Sequence, residues 1–111
     1  MINQKKGSDQ PKEFQRLSNK EALILQMLIE VGRELFGLEM VESSKGKLKR
    51  GTIYVTLQRM QEKGLVESRK EPRPEGEIGI PRRLYKVTGY GQRVLAAHEA
   101  ALSIMFPAMI A

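Results

Sequence analysis

The stretch that decides the fold is KGKLKRGTIYVTLQRMQEKGLVE, residues 45–67. It begins with four basic residues in six positions and then settles into an apolar pattern at helical spacing, which Gly64 ends. Ile53, Leu57 and Met60 fall at i, i+4 and i+7, so they share one face of a helix. We predict a helix whose start carries concentrated positive charge, an arrangement suited to a polyanionic partner.

Two helices are predicted ahead of this one. In residues 17–32, Ser18 followed three positions later by Glu21 fits a capping box, and Gly32 suits the end of the helix. The segment between them, ALILQMLIEV, is apolar on nearly every side, which predicts the most deeply packed helix of the core. Residues 33–47 mix apolar residues with glutamates and predict a second, shorter helix followed by a turn.

A hairpin and a last helix are predicted after the central stretch. Two segments with β-forming residues flank EPRPEGEIGIP, residues 71–81, which predicts a long-tipped β-hairpin, called the wing below. Thr88 can cap the last helix. One side of that helix is apolar, and a single small domain would hardly bury it unaided, so we expect it to form a dimer interface. The residues expected there are Val94, Leu95, His98, Ala101, Leu102 and Met105.

Three helices followed by a hairpin is the order of elements in a winged helix-turn-helix. The predicted fold class is therefore mainly α with a small β-hairpin: a winged helix-turn-helix plus a C-terminal dimerisation helix. We assign residues 1–16 to a flexible N-terminal arm, residues 17–88 to the DNA-binding domain, and residues 89–111 to the dimerisation helix and tail.

The charge of the chain is concentrated in its middle. Net charge is +6, and residues 49–93 hold eleven Lys and Arg against five Asp and Glu. Such a local excess favours nucleic acid as the partner. The chain has no Cys and one His, so we expect no disulfide, no metal site and no other cofactor, and a cytoplasmic location. We also expect no membrane span, and no enzyme, because no nucleophile and base can be paired.

The candidate DNA-binding residues are basic side chains, hydroxyls and a glycine that lets backbones approach closely. Thr52, Thr56, Arg59 and Lys63 follow the helical spacing of the apolar face and line a second, outward stripe. Tyr54 can alternatively be a tyrosine at the edge of the core with its hydroxyl in water. The full set is Lys47, Lys49, Arg50, Gly51, Thr52, Tyr54, Thr56, Arg59, Lys63, Arg73, Arg82 and Arg83.

The segments LFGLEMVES, GKLKRGTIYVTLQRMQEKGLVES and PRRLYKVTGYGQRVL, in this order and at this spacing, resemble the PadR-like family of bacterial transcriptional regulators. The resemblance runs from about residue 17 to residue 95. It implies a winged-helix repressor that dimerises through its C-terminal helix, with help from the N-terminal region, and binds a two-fold related operator. Some members bind flat aromatic effectors between tryptophans, and this chain has no Trp, so that activity is not expected here. The family's DNA contacts carry over to Lys49, Arg50, Thr52 and Tyr54, and those of its wing to Arg73, Arg82 and Arg83.

The sequence therefore predicts a homodimeric, sequence-specific DNA-binding regulator that acts as a repressor. Its expected partners are double-stranded DNA and a second copy of the chain, and the sequence leaves open whether a small-molecule effector exists. The alternative is a winged-helix protein-protein interaction module whose basic face docks an acidic partner. That module would bind DNA weakly and without selectivity.

Overall fold

The computed structural model describes residues 16–72, 76 and 82–106. Arg73, the tail from residue 107 and all of the predicted arm except Arg16 lie outside the described residues. Within the described part of the chain, no helix combines the length and the apolar character that a bilayer crossing needs. The elements in chain order are α1 (Asn19–Val31), β1 (Leu35–Phe36), α2 (Gly37–Ser43), α3 (Ile53–Glu62), β2 (Val66–Lys70), β3 (Arg83–Val87) and α4 (Gly89–Met105).

The predicted winged helix-turn-helix fold, mainly α with a small hairpin and a C-terminal helix, is confirmed, with one strand more than was predicted. Strands β2 and β3 form the antiparallel wing hairpin, in register from Val66↔Val87 to Lys70↔Arg83. Strand β1 pairs with the other edge of β3, which gives the order β1-β3-β2. The prediction of one helical segment in this region was wrong at β1, because Leu35 is buried and its backbone pairs with Tyr85. Helix α2 begins only after this strand.

The predicted helix ends are confirmed. Ser18 and Glu21 form a reciprocal capping box, with Glu21 N–H donating to Ser18 Oγ at 3.1 Å and Ser18 N–H to Glu21 Oε1 at 2.9 Å. Gly32 ends α1 in the left-handed conformation at φ 73°. At the end of α3, the N–H of Gly64 donates to Gln61 and that of Leu65 to Met60, which is the Schellman arrangement.

The core fixes the orientation of α3. Its three apolar-face residues are almost completely buried, and they pack in one cluster with residues from every other helix and from the sheet. Because each is large and close-packed, α3 cannot rotate about its axis without opening a cavity. The fully buried large side chains are Ile24, Leu25, Met40, Ile53, Leu57, Met60, Leu65, Val66 and Val94.

Helix α4 belongs partly to this core. Val94 is 0% exposed and Leu95 5% exposed within one copy of the chain, so their own chain already covers these two predicted interface residues. The first half of α4 packs beside α1 and covers the core. The apolar spacing of α4 alone could not tell whether this face packs on the core or on a second copy. His98 and Leu102 are half-buried, whereas Ala101 and Met105 are exposed.

The junction between α3, the wing and α4 is held by hydrogen bonds and by a close backbone contact. The Thr88 hydroxyl accepts a hydrogen bond from Gly91 N–H at 2.9 Å, as predicted for a cap, and donates one to Gly64 O at 2.6 Å. A Cβ at Gly91 would lie 2.2 Å from Leu65 O, so only glycine fits this close approach. The start of α4 is thereby joined to the end of α3.

Candidate nucleic-acid interface

Helix α3 turns a polar face outward. The side opposite its buried residues carries Val55, Gln58 and Arg59, all exposed. Arg59 makes no ion pair with any residue that the structure describes. Of these three, only Arg59 was predicted from the sequence. Val55 and Gln58 could have been found from their helical position opposite the apolar face, but neither has the charge or the hydroxyl by which side chains were selected.

The start of α3 has the features of a site that binds a negatively charged group. Lys49 and Arg50 are exposed directly before it, and its first turn contains no acidic residue. Thr52 is the N-cap residue, yet its side chain accepts no capping hydrogen bond, unlike Ser18 in α1 and Thr88 in α4. Ile53 N–H donates to Lys49 O at 3.0 Å, but no side chain caps the N–H groups that follow, so these groups and the positive end of the helix act together with the neighbouring cations.

The turn between α2 and α3 holds these cations in place. Leu48 is buried in the core, and its N–H donates to the Ser44 hydroxyl at 2.9 Å. That hydroxyl in turn donates to Val41 O at 2.8 Å. Lys45 and Gly46 adopt left-handed conformations at φ 55° and 88°. The cations thus lie on an anchored turn; the basic cluster, as it is called below, consists of Lys45, Lys47, Lys49 and Arg50.

The predicted outward stripe is only partly available to a ligand. The Thr56 hydroxyl donates back to Thr52 O at 3.1 Å. Lys63 is half-buried, and its Nζ donates to Glu21 Oε2 at 2.8 Å. Lys63 thus joins the end of α3 to the start of α1, with its side chain 34% exposed. Thr52 and Arg59 remain exposed.

Glu21 connects the capping box of α1 to the end of α3. Burial raises the pKa of its carboxyl group, but the hydrogen bonds from Lys63 and from the Ser18 backbone, with the charge of Lys63, outweigh burial and leave the pKa lowered. The carboxylate is thus held charged between the two helices. It fixes the orientation of α3 from the end opposite the basic cluster.

Tyr54 lies at the edge of the core, as one of the two interpretations of the sequence predicted. It is 49% exposed, and its ring lies so close to Gly37 that a Cβ there would be 2.8 Å from Tyr54 Cε1. The ring borders a cleft of about 420 Å³ with Phe36, Arg82 and Tyr85. Burial raises the pKa of the Tyr85 hydroxyl there. Tyr54 therefore packs on α2 through one side of its ring and faces solvent with the rest.

The arginines of the wing are largely engaged within the molecule. Arg69 makes two hydrogen bonds to Glu34, at 2.9 and 2.7 Å. Arg82 bonds to Glu71 through Nε at 3.2 Å and stacks 3.9 Å from the centroid of the Phe36 ring. The Arg82 guanidinium thus joins the wing to β1, while its side chain stays 58% exposed. Arg83 donates to the Ser68 hydroxyl at 3.1 Å and forms no ion pair with a described residue.

Lys47 and His98 border a different feature, the groove between α1 and α4. Asn19 and Leu23 of α1 line the same groove. Gln26 of α1 and Glu99 of α4 are joined across it by a hydrogen bond of 3.0 Å. Within the basic cluster, Lys47 thus borders this groove, whereas Lys49 and Arg50 are nearer in the sequence to the start of α3.

The comparison with known proteins agrees with this geometry. The model of the transcriptional regulator PadR-like family matches residues 24–97. A PadR family transcription regulator from Clostridium difficile R20291 is 25% identical, with a TM-score of 0.67 over 83% of this chain and 95% of that one. A regulator of the same family from Eggerthella lenta is also 25% identical, with a TM-score of 0.66 over 81% of this chain and 77% of that one.

A third solved structure, TA0346 from Thermoplasma acidophilum, is 28% identical, with a TM-score of 0.63 over 81% of this chain and 86% of that one. No curated protein matches the sequence significantly. Each of these three structures covers more than four fifths of this chain.

Proposed function

Because the chain belongs to the PadR-like family of transcriptional regulators, we propose that it represses transcription by binding a two-fold related operator as a homodimer. The observation that carries the proposal is the start of α3, where the helix is uncapped, basic and held outward by a close-packed core. A surface of this kind suits the phosphates and base edges of a major groove.

Affinity and specificity would come from different residues. Lys49 and Arg50 are cations on an anchored turn, suited to phosphates, which every sequence presents. Arg59 projects from the outward face of α3, where a guanidinium can bond to guanine through two parallel hydrogen bonds. The cluster would therefore supply salt-dependent attraction, and the outward face of α3 would supply sequence preference.

Dimerisation would place two such helices on one duplex. Met105 is 65% exposed, and Ile104 and Phe106 beside it are also exposed. An apolar helix end that leaves the core of its own chain is a surface that a second copy can cover. In the dimer the two α3 helices should lie about 34 Å apart, so that they enter successive major grooves.

The test compares two substitutions on two duplexes, an operator selected from random DNA and a scrambled duplex of equal length. Arg59→Ala should weaken operator binding by roughly 5- to 150-fold and change scrambled binding little. Lys49→Ala should weaken both to the same extent. As a control, Lys20→Ala removes an exposed charge from the first turn of α1 and should alter neither. Equal losses on both duplexes for Arg59→Ala would refute the assignment.

A further inference from the structure

The large apolar side chains that remain exposed in the described residues lie at three places. These are the end of α1, the start of α3 and the end of α4. The group at the start of α3 directly follows the basic cluster, so a partner that covers it must be compatible with positive charge. The exposed residues are Ile29, Val31, Tyr54, Val55, Ile104, Met105 and Phe106.

Val55 is the residue of this group that the fold does not explain. The Tyr54 ring packs against Gly37, whereas Val55 is 54% exposed and takes no part in the core. It occupies the third position of α3, where the helix dipole favours an acidic side chain. Valine is also a weaker helix former than alanine or the long polar residues. Helix stability therefore gives no reason for a valine here.

Resting on the proposed function, we propose that Val55 contacts the 5-methyl group of a thymine in the operator. That methyl is the apolar group that a base pair presents in the major groove. The side chain of valine has one strongly preferred rotamer in a helix, so its two methyl groups are held in place before DNA binds. Gln58 and Arg59 follow at i+3 and i+4 and flank Val55 on the outward face. An apolar contact would thus lie among polar ones.

The inference predicts a dependence on a single methyl group. Deoxyuridine differs from thymidine only in lacking the 5-methyl, and it leaves base pairing and phosphates unchanged. Removing one buried methyl should weaken binding by about three- to fivefold per site. The loss should occur at one thymine in each half of the operator, and other thymines should tolerate replacement.

The experiment is a double-mutant cycle on the selected operator. Each thymine is replaced in turn by deoxyuridine, and the affinities of the wild type and of Val55→Ala are measured by fluorescence anisotropy. We expect the wild type to lose affinity at one position per half-site, and Val55→Ala to bind the thymine operator equally weakly and to be indifferent to deoxyuridine there. This non-additivity identifies the pair in contact.

Val31→Ala is the matched control, because Val31 is a valine of similar exposure, 49%, at the end of α1. It should retain the full response to deoxyuridine. Val55→Ala should also keep or slightly raise the melting temperature. A loss of DNA affinity without a loss of stability would show that Val55 acts by contacting DNA and not by supporting the fold. Wild-type indifference to every replacement, or an unchanged response in Val55→Ala, would overturn the inference and leave the proposed function standing. Failure to select any operator would overturn both.

Discussion

At the scale of single residues, Gly91 is a position with no room for a side chain. A Cβ at this position would lie 2.2 Å from Leu65 O and 3.0 Å from Val87 Cγ2, so the backbone would have to move. We expect Gly91→Ala to lower the free energy of unfolding by about 2 kcal/mol or more. Chemical denaturation measures this loss.

Gly89→Ala is the control for that substitution. A Cβ at Gly89 would meet nothing closer than Arg93 Nη1 at 3.8 Å. Since alanine is the better helix former, Gly89→Ala should be neutral or stabilising by up to about 1 kcal/mol. Equal effects of the two substitutions would contradict the contact at Gly91.

Glu21 makes stability depend on pH. The pKa of its carboxyl group is lowered in the folded chain by Lys63 and the Ser18 backbone, against the effect of burial. A lowered folded pKa stabilises the protein at pH values above the ordinary glutamate range, and this contribution disappears as the pH falls through the folded pKa. We expect Glu21→Gln to cost about 2 kcal/mol at pH 7, and the difference from the wild type to shrink on acidification.

Thermal or denaturant unfolding between neutral and acidic pH would show the convergence. Glu30→Gln, which removes an exposed carboxylate from the same helix, should follow the wild-type profile. A difference that persists unchanged at acidic pH would mean that the charge of Glu21 is not what stabilises the contact with Lys63.

At the scale of elements, the charges at the start of α3 should contribute to DNA affinity, whereas those of the wing should contribute little. Lys49 and Arg50 make no ion pair with a described residue, whereas Arg69 is already bonded to Glu34. We expect Arg50→Gln to reduce the slope of log affinity against log salt by about 0.9. Replacing both Arg69 and Glu34 by Gln should leave the slope nearly unchanged, because the pair is neutral as a whole.

Titrations of one duplex at several salt concentrations would measure these slopes. A loss for the Arg69 and Glu34 double replacement as large as that for Arg50→Gln would mean that DNA displaces Glu34 from Arg69. The wing would then contribute to affinity through that arginine.

Local signals in the sequence were enough to predict the helices and the hairpin. The capping box at Ser18, the glycines that end α1 and α3, and the cap at Thr88 each depend on neighbours within a few residues. Strand β1 gave no such signal, since two residues are too short to show a period. It exists because β3 offers a free edge 48 or more residues later in the chain.

The internal contacts of two predicted site residues have the same origin. Lys63 was chosen from its helical spacing and Arg82 from its charge and the family resemblance, but Glu21 lies 42 residues from Lys63 in the sequence, and Arg82 stacks on Phe36 of β1. Val94 shares its helical face with true surface positions and is buried only because α4 packs against α1. Periodicity identifies an apolar face; it does not identify what covers that face.

At the scale of the whole molecule, the exposed end of α4 should hold two copies together. Met105→Glu should convert the dimer into a monomer of about 12.6 kDa without loss of helix content, since the side chain is exposed in one copy. Ser103→Glu adds the same charge on the other side of the helix and should leave the dimer intact. Analytical ultracentrifugation would decide. If both variants remain dimeric, the interface lies elsewhere.

The most direct measurement of the central claim is selection of bound duplexes from a random DNA library at about 0.15 M salt, where screening removes much of the non-specific attraction. We expect a motif with two inverted halves about one helical turn apart, which requires both a helix that contacts base edges and a dimer. Recovery of no motif, with binding that disappears as salt rises, would contradict the claim and favour a protein-interaction module.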